Sequence, residues 1–329
     1  MTHSPDLPAG TVAMLAAEHL EAPLVRSLTK EFERRGAVHS VELREVPVRE
    51  AGEPSSVHAE PCTVHAVRWS VTLDDADDSF GSQLINALFE DAAGILAERN
   101  GGPEGITTTV LPVQHRPAPE TGALLLMDVD STLIDQEVIE LLARHAGKEE
   151  EVAAVTERAM RGELDFAQSL HARVAALEGL SQSVIGSAVD AVTPTQGAQE
   201  LLSAFAARQW PAYAVSGGFL QILEPVAADL GLTGFHANDL GLHDGRLTGT
   251  VRGAVVDRAA KRDYLLARSA EHGLTPEQVV AIGDGANDLD MVTAAGVGVG
   301  FCPKPALAEQ ADLVVRHRSL ELVALALGL

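Results

Sequence analysis

The stretch of residues 123–132 restricts the possible folds of this chain more than any other. An unbroken apolar run, Ala123 to Met127, leads directly into two aspartates and two hydroxyl residues. A short apolar run of this kind is typical of a strand that is buried on both faces. In open α/β sheets, the polar residues that follow such strands lie at the carboxyl edge, where binding sites are found. The stretch therefore predicts an α/β core with a polar site after its first strand.

Asp128 and Asp130 are separated by one residue. In an extended segment their side chains point to the same side of the chain, whereas Val129 points away. Two carboxylates in one small space repel each other unless a cation or a shared proton compensates the charge, which favours a divalent metal site. The acids could equally cap a helix that begins near Asp135. This stretch alone does not distinguish the two interpretations.

Two more apolar strands end in polar clusters. Ala212 to Val215 stops at a Ser-Gly-Gly sequence, and Val279 to Ile282 stops at Gly-Asp-Gly-Ala-Asn-Asp. If the sheet is parallel, all of these clusters gather at its carboxyl edge. The glycines after Ser216 let the backbone approach an anion closely, and a helix that begins there would present free amides to it.

The chemistry of these clusters favours phosphoryl transfer. Oxygen donors without cysteine or histidine favour Mg²⁺, and Asp128 and Asp284 supply such donors. Asp128 can attack phosphorus to form an aspartyl-phosphate. Asp130 can protonate the leaving alcohol and later deprotonate water. Lys261, on a predicted helix that leads back to the core, could neutralise charge on the transferred group.

Composition excludes several classes of protein. The net charge is −23, which would repel phosphate backbones, so we expect no nucleic-acid partner. The chain begins without a basic region before an apolar core, and no apolar run approaches the ~20 residues that span a bilayer. We therefore expect a cytoplasmic protein with no membrane association. Cys62 and Cys302, the only cysteines, indicate neither a disulfide framework nor zinc.

Residues 1–114 differ from the rest of the chain in the order of their predicted strands and helices. The predicted strands are Thr11–Ala17, Val38–Val48, Cys62–Leu73 and Ile106–Val113, and the predicted helices are Ala22–Arg35 and Asp78–Arg99. This βαββαβ order is that of ferredoxin-like α+β folds. It resembles an ACT domain, a small amino-acid-sensing module, and the resemblance implies regulation and a homodimer through this region. A purely structural role is the alternative.

The remaining chain divides into a core and an insertion. Residues 115–122 form a Pro- and Gly-containing linker, at which we place the domain boundary. Residues 123–136 and 193–329 give the pattern of a doubly wound parallel sheet, with a hairpin turn at Asp244-Gly245. Nothing between Glu137 and Val192 has the pattern of a strand, so we expect a helical cap over residues 137–192.

Four segments together resemble the haloacid dehalogenase superfamily, in order and at fitting spacing: Asp128–Thr132, Ser216–Phe219, Lys261 and Gly283–Asp288. Within the superfamily, the phosphoserine phosphatases are similar from Leu124 to the C-terminus, including cap segments Glu157–Gly162 and Phe166–Val174. The resemblance implies an α/β core with a helical cap. It also implies Mg²⁺-dependent hydrolysis of O-phospho-L-serine through an aspartyl-phosphate, the final step of serine biosynthesis.

The resemblance also implies a role for each matching residue. Asp128 would be the nucleophile and Asp130 the acid/base, and both would bind metal together with Asp284, with Asp288 in support of the metal shell or of Lys261. The phosphate would be held by Ser216, Gly217, Lys261 and Asn287. In the cap, the substrate would be read by Glu137, Met160, Phe166 and Arg173.

The cap residues make chemical sense for phosphoserine. An acid suits the substrate ammonium and a bidentate arginine suits its carboxylate, while Met160 and Phe166 would exclude water when the cap closes. Without the resemblance, the acid is typical of a helix start, the arginine of a solvated helix, and the two apolar residues of a core.

Other functions remain as alternatives. A related phosphatase or phosphotransferase could act on another small phosphorylated metabolite, such as a phosphorylated homoserine or sugar acid. Amino-acid sensing by residues 1–114 could be the main role. A serine hydrolase is excluded because Ser131 lacks a Gly-x-Ser-x-Gly elbow, and neither a dinucleotide fingerprint nor a Walker lysine is present.

Overall fold

The computed structural model describes residues 11–49, 62–73, 78–112, 117–118, 120–161 and 163–329, and also leaves out the side chains of residues 78–81 and Met160. The first ten residues of the chain, residues 115, 116 and 119 of the predicted linker, and Gly162 lie outside the described residues. None of the helices in the described ranges is long and apolar enough to cross a membrane.

The N-terminal unit has the predicted βαββαβ order. Its elements are β1 (Thr11–Ala17), α1 (Ala22–Arg35), β2 (Gly36–Val48), β3 (Cys62–Leu73), α2 (Asp78–Leu96) and β4 (Ile106–Leu111). The strands form an antiparallel sheet in the order β2-β3-β1-β4. The ferredoxin-like prediction is confirmed. The predicted second helix is shorter than expected, because its last turn, Ala97–Arg99, tightens into a 3-10 helix.

Helices α1 and α2 cover one face of this sheet. Trp69 of β3 is fully buried there, with its ring centroid 5.5 Å from that of Phe32 and 6.0 Å from that of Phe89. The indole N–H of Trp69 donates to Thr29 Oγ1 at 2.9 Å, so its polar atom is satisfied inside an apolar cluster.

The core contains a seven-stranded sheet in the order β11-β10-β9-β5-β6-β7-β8. Its strands are β5 (Leu124–Met127), β6 (Ala212–Phe219), β7 (Gly234–His243), β8 (Arg246–Arg252), β9 (Val279–Gly283), β10 (Val297–Phe301) and β11 (Leu313–Val315). All neighbours are parallel except β7 and β8, which form the predicted hairpin. At its turn Asp244 and Gly245 both have positive φ, as a two-residue hairpin turn of type I′ requires.

Strand β5 lies in the middle of this sheet and is buried along its whole length, as predicted. The chain moves from β5 to β6 on one side, and β9 later pairs with β5 on the other side. This reversal of direction creates a crevice at the carboxyl end of β5, which is where open α/β sheets bind their ligands.

The rest of this unit is helical. Between β5 and β6 lie α3 (Val138–Ala146), α4 (Glu149–Met160), α5 (Phe166–Ala175), α6 (Ser183–Asp190) and α7 (Ala198–Ala206). The later helices are α8 (Leu220–Leu230), α9 (Arg258–Glu271), α10 (Leu289–Ala294), α11 (Pro305–Ala308) and α12 (Leu320–Leu327). The described residues between 137 and 192 form helices and turns, and their single extended contact is an isolated bridge at Ser181.

One strand is longer than expected. The sequence predicts that β6 stops at Val215, but the strand continues to Phe219, and its pairing with β7 changes register in between. The side chain of Asn238 donates to Gly217 O at 2.8 Å and replaces a backbone partner in this irregular region. The glycines therefore bend the strand without ending it.

The second face of the N-terminal sheet packs on α12, so the two units share one apolar cluster. Alternate residues of β1 face opposite sides: Leu15 packs among α1 and α2, whereas Met14 belongs to the cluster that contains Leu322. Every residue of α12 except Glu321 is buried.

Candidate active site

A wide turn follows β5 and carries the first acidic pair. Residues Val129–Leu133 form a single π-type turn closed by a hydrogen bond from Ile134 N to Val129 O at 3.0 Å. Within it, Ser131 has φ 56°, a left-handed conformation that is rare for residues other than glycine. The turn directs Asp128 and Asp130 into the crevice at the sheet edge.

Asp130 is held by two donors. Val138 N, at the start of α3, donates to Asp130 Oδ1 at 2.6 Å, and Ser216 Oγ donates to Asp130 Oδ2 at 2.8 Å. Asp130 thus accepts from the first amide of α3, which begins at Val138 and not near Asp135, and it also lines the crevice. Burial raises the pKa of Asp130, while the two donors lower it. A carboxyl group with a raised pKa is suited to carrying a proton.

Asp128 is paired with a buried lysine. Lys261 Nζ lies 2.6 Å from Asp128 Oδ1 and 2.6 Å from Asp288 Oδ1, and the three residues are almost inaccessible to solvent. Burial and the neighbouring Asp288 carboxylate raise the pKa of Asp128, and Lys261 opposes this shift. Because an isolated buried charge is very costly, the lysine keeps the Asp128 carboxylate compatible with its apolar surroundings.

Asp288 organises the loop after β9. Its Oδ2 accepts hydrogen bonds from the backbone N–H groups of Asp284 and Gly285, both at 3.1 Å. A Cβ on Gly283 would lie 2.5 Å from the Asp288 side chain, so the strand must end in a glycine here. Both oxygens of Asp288 are thus used to hold protein groups, which agrees with the predicted supporting role toward Lys261.

The acidic cluster fits a magnesium ion. One carboxylate oxygen from each of Asp128, Asp284 and Asp288 lies within 4.8 Å of the others. All of these donors are hard oxygens, as Mg²⁺ prefers. Of the three residues, Asp128 and Asp284 line the cavity, and burial raises the pKa of Asp284. Lys261 and Lys304 balance part of this negative charge, and a divalent cation would balance more of it.

A cavity of about 590 Å³ lies above the acidic cluster, between the core and the cap. Eight of the predicted site residues line it: Asp128, Asp130, Glu137, Phe166, Arg173, Gly217, Asp284 and Asn287. The predicted residues Ser216, Lys261 and Asp288 are buried beside it. Met160 ends α4, and its side chain lies outside the described part of the structure.

Glu137 and Arg173 form the polar part of the cap wall. Glu137 Oε1 accepts a hydrogen bond from Ser131 Oγ at 2.8 Å. Burial and the nearby Asp130 raise the pKa of Glu137 to about 7. Burial lowers the pKa of Arg173, and the charge of Glu137 opposes this shift. The cap thus presents the carboxyl group of Glu137 and the guanidinium of Arg173 to the cavity.

The end of β6 forms another side of the cavity. Ser216 Oγ accepts a hydrogen bond from Gly218 N at 2.7 Å and donates one to Asp130. The Ser216 hydroxyl therefore helps to hold the Asp130 side chain in place. A Cβ on Gly217 would lie 2.8 Å from Phe166 Cζ. Glycine at this position therefore lets the cap aromatic ring pack directly against the strand end.

Several residues that line the cavity were not predicted from the sequence. Lys304 Nζ lies 3.1 Å from Asp284 Oδ2, and Asp257 and Arg258 at the start of α9 are also in the wall. Lys304 follows β10, a parallel neighbour of β9. Polar residues that follow parallel strands lie at the same edge of the sheet, so Lys304 could have been predicted from its position after β10.

Comparison with known proteins agrees with this geometry. Residues 125–293, more than half of the chain, match the haloacid dehalogenase-like hydrolase family. A phosphoserine phosphatase of Streptomyces coelicolor is 52% identical over 206 residues, which are 63% of this chain and 50% of that protein. The matched region thus spans about half the length of this relative.

Solved structures show the same architecture. A phospho-aspartyl intermediate analogue of phosphoserine phosphatase is 41% identical, with a TM-score of 0.59, and the match covers 62% of this chain and 98% of that one. An unliganded probable phosphoserine phosphatase from Vibrio cholerae is 27% identical, with a TM-score of 0.71, over 96% of this chain and 86% of that one. The sequence match, the doubly wound core and the acidic cluster at its carboxyl edge agree, and the chain belongs to the haloacid dehalogenase-like hydrolases.

Proposed function

We propose that this chain hydrolyses O-phospho-L-serine to L-serine and phosphate through an aspartyl-phosphate on Asp128, with Mg²⁺ as cofactor. The observation that carries the proposal is the cavity, which has Asp128, Asp130 and Asp284 at one end and Glu137 and Arg173 on the cap side. The similarity to proteins named phosphoserine phosphatases supports the same substrate. The reaction would complete serine biosynthesis.

The residues divide the reaction into two steps. In the first, a carboxylate oxygen of Asp128 bonds to phosphorus as the bond between phosphorus and the serine oxygen breaks, and Asp130 gives its proton to that oxygen. In the second, water attacks the same phosphorus and loses a proton to Asp130, and phosphate leaves as the Asp128 carboxylate is restored. Lys261 would balance the charge of the free Asp128 carboxylate, and that of the phosphoryl group once it is bound to Asp128.

The acidic cluster would hold the metal. Asp128 and Asp284 would supply side-chain oxygens and Asp130 its backbone carbonyl, while Asp288 fixes the loop that carries Asp284. When bound, Mg²⁺ would reduce the repulsion between the anionic phosphoryl group and the carboxylates around it. We propose that Gly217, Asn287, Ser216 and Lys261 hold the phosphoryl group.

Selectivity for phosphoserine would come from the cap. Glu137 would bind the substrate ammonium, and the guanidinium of Arg173 would bind its carboxylate. Phe166 packs against Gly217 and would exclude water from the reacting atoms.

A screen of phosphorylated metabolites tests the substrate assignment. Phosphate release should be measured with O-phospho-L-serine, phosphohomoserine, a phosphorylated sugar acid and an aryl phosphate, each with and without Mg²⁺. We expect the highest kcat/KM for phosphoserine and loss of turnover without the metal. A clear preference for another compound would reject phosphoserine as the substrate and leave the phosphatase chemistry in place.

We also propose that the enzyme is a cytoplasmic homodimer that assembles through the N-terminal sheet. Strand β2 is one of the two edges of that sheet, and it exposes Val41 and Leu43, the latter by 68%. An edge of this kind can pair with a second copy. Light scattering should give twice the mass of the chain, and Leu43→Lys should shift the protein toward monomer. A monomeric wild type would reject the dimer.

A further inference from the structure

We propose that Arg49 of the N-terminal sheet is a positioning residue for the turn that carries the acidic pair. It acts through Asp135 and Arg318, which hold Ser131 and thereby orient Glu137. The role of Glu137 in binding the substrate comes from the proposed function, and this part of the inference rests on that function. The arrangement of the side chains that carry it is independent of that function.

Arg318 forms the centre of this arrangement, which we name the arginine clamp: Arg49, Asp135 and Arg318. The guanidinium of Arg318 donates to the backbone carbonyls of Ser131 at 3.1 Å and Ile134 at 3.2 Å. Its Nε donates to Asp135 Oδ1 at 2.9 Å. One mostly buried side chain with a planar guanidinium therefore holds the middle of the turn, at Ser131, and the residue that follows it, Ile134.

Asp135 joins the two units of the molecule. Its Oδ1 binds Arg318 of the core, and its Oδ2 binds the guanidinium of Arg49, which follows β2. The side chain of Asp135 is 15% exposed and that of Arg49 is 38% exposed, so solvent screens this ion pair only in part. The backbones of Arg49 and Arg318 also form an antiparallel bridge.

The turn needs such support because of its conformation. Ser131 has φ 56°, and a serine holds this left-handed conformation only when its surroundings fix it. Its hydroxyl donates to Glu137 at 2.8 Å. A loosened turn would therefore release the orientation of Glu137, the carboxylate assigned to the substrate ammonium.

The chain offers a matched control for Arg49. Arg44 lies on β2, the strand that Arg49 follows, and it also reaches across to the core, where it pairs with Glu321 at 3.7 Å. The partner of Arg44 lies on α12, and among the described residues Arg44 makes its ion pairs with Glu42 and Glu321, not with Asp135 or the turn. Removal of Arg44 therefore weakens the same interface without affecting the clamp.

The experiment compares Arg49→Ala, Arg49→Lys, Asp135→Asn and Arg44→Ala in the full chain. Hydrogen exchange should be followed by mass spectrometry in a peptide that spans residues 129–137. We expect exchange to be about tenfold faster in Arg49→Ala and Asp135→Asn, and unchanged in Arg44→Ala, because only the first two open the clamp. Arg49→Lys should recover part of the protection.

Kinetics supply the second readout. In Arg49→Ala the KM for phosphoserine should rise by about threefold to tenfold, because only phosphoserine uses Glu137. The kcat for an aryl phosphate should stay within about twofold, because Asp130 keeps its hydrogen bonds from Val138 N and Ser216 Oγ. Equal exchange and equal KM in Arg49→Ala and Arg44→Ala would overturn the inference. If the wild-type protein does not hydrolyse phosphoserine, the proposed function is wrong. The hydrogen-exchange comparison then still tests whether Arg49 stabilises the turn.

Discussion

At the scale of single residues, the site depends on charges that are neutralised inside the protein. Lys261 lies 2.6 Å from both Asp128 and Asp288, and all three are buried. Removal of one member of such a group leaves an uncompensated buried charge, which is usually strongly destabilising. Substitutions that preserve shape are therefore the informative ones at this site.

Arg173→Ala should change substrate preference more than chemistry. The guanidinium would bind the carboxylate of phosphoserine, a group that an aryl phosphate lacks. We expect kcat/KM for phosphoserine to fall by about 100-fold, the scale of a lost bidentate charged contact, and that for an aryl phosphate by much less. Steady-state kinetics with the two substrates measures this difference. Equal losses would assign Arg173 to the fold instead of the substrate.

The raised pKa of Glu137 predicts a dependence of KM on pH. Burial brings this pKa to about 7, so the side chain is neutral below that pH and becomes a carboxylate above it. Only the carboxylate attracts the substrate ammonium, so the KM for phosphoserine should fall as the pH rises through 7. Glu137→Gln should remove this dependence. An aryl phosphate, which has no ammonium, serves as the control for other titrations, and an identical pH profile for both substrates would contradict the assignment.

The sequence was most informative for residues that lie directly after strands. Asp128, Asp284 and Asn287 could be predicted to share one edge, because the carboxyl ends of parallel strands meet there. The partner of Asp135 could not be predicted, since Arg318 is 183 residues away in sequence. No local pattern indicates which of many arginines will be brought to a turn by the tertiary fold.

At the scale of elements, the glycines determine how closely strands and helices approach the site. Gly283 ends β9 against the buried Asp288 side chain, and Gly217 lets Phe166 touch β6. The apolar pattern predicted both strands but set the end of β6 too early, because a Gly pair ordinarily marks a strand end. The side chain of Asn238, which supports the bend, has no signal in the sequence of β6 itself.

Gly283→Ala should destabilise the protein and impair catalysis. A Cβ would lie 2.5 Å from the Asp288 side chain, which is fixed by two backbone donors and Lys261. Overpacking of this kind costs about 1–3 kcal/mol in the free energy of unfolding. Gly186→Ala in α6 is the control, because nothing lies within 4 Å of its added Cβ. Urea denaturation should show a loss for the first variant only, and equal stabilities would contradict the predicted steric conflict.

At the scale of the whole molecule, the N-terminal sheet and the core share one apolar cluster. The composition and element order predicted two units, whereas their association through α12 could not be predicted from either unit alone. The β1 face that contains Met14 is covered by the core, so the sheet does not keep a free face for other partners. Its free edge is β2.

Leu322→Ala should weaken both units together. Leu322 is fully buried in the shared cluster, and its truncation should lower the free energy of unfolding by about 2–5 kcal/mol. Trp69 reports on the N-terminal unit and Trp210 on the core, so single-tryptophan versions can follow each unit by fluorescence. We expect one coincident transition at both probes, which moves to lower urea in the variant. Two separate transitions would contradict the shared core.

The proposed mechanism requires that Asp128 receives the phosphoryl group of phosphoserine. Enzyme that is turning over phosphoserine with Mg²⁺ should be quenched in acid, digested and examined by mass spectrometry. We expect the peptide containing Asp128 to gain the mass of one phosphoryl group and Asp128→Asn, although folded, to show none. Turnover without this modification, or with the phosphoryl group on another residue, would contradict it.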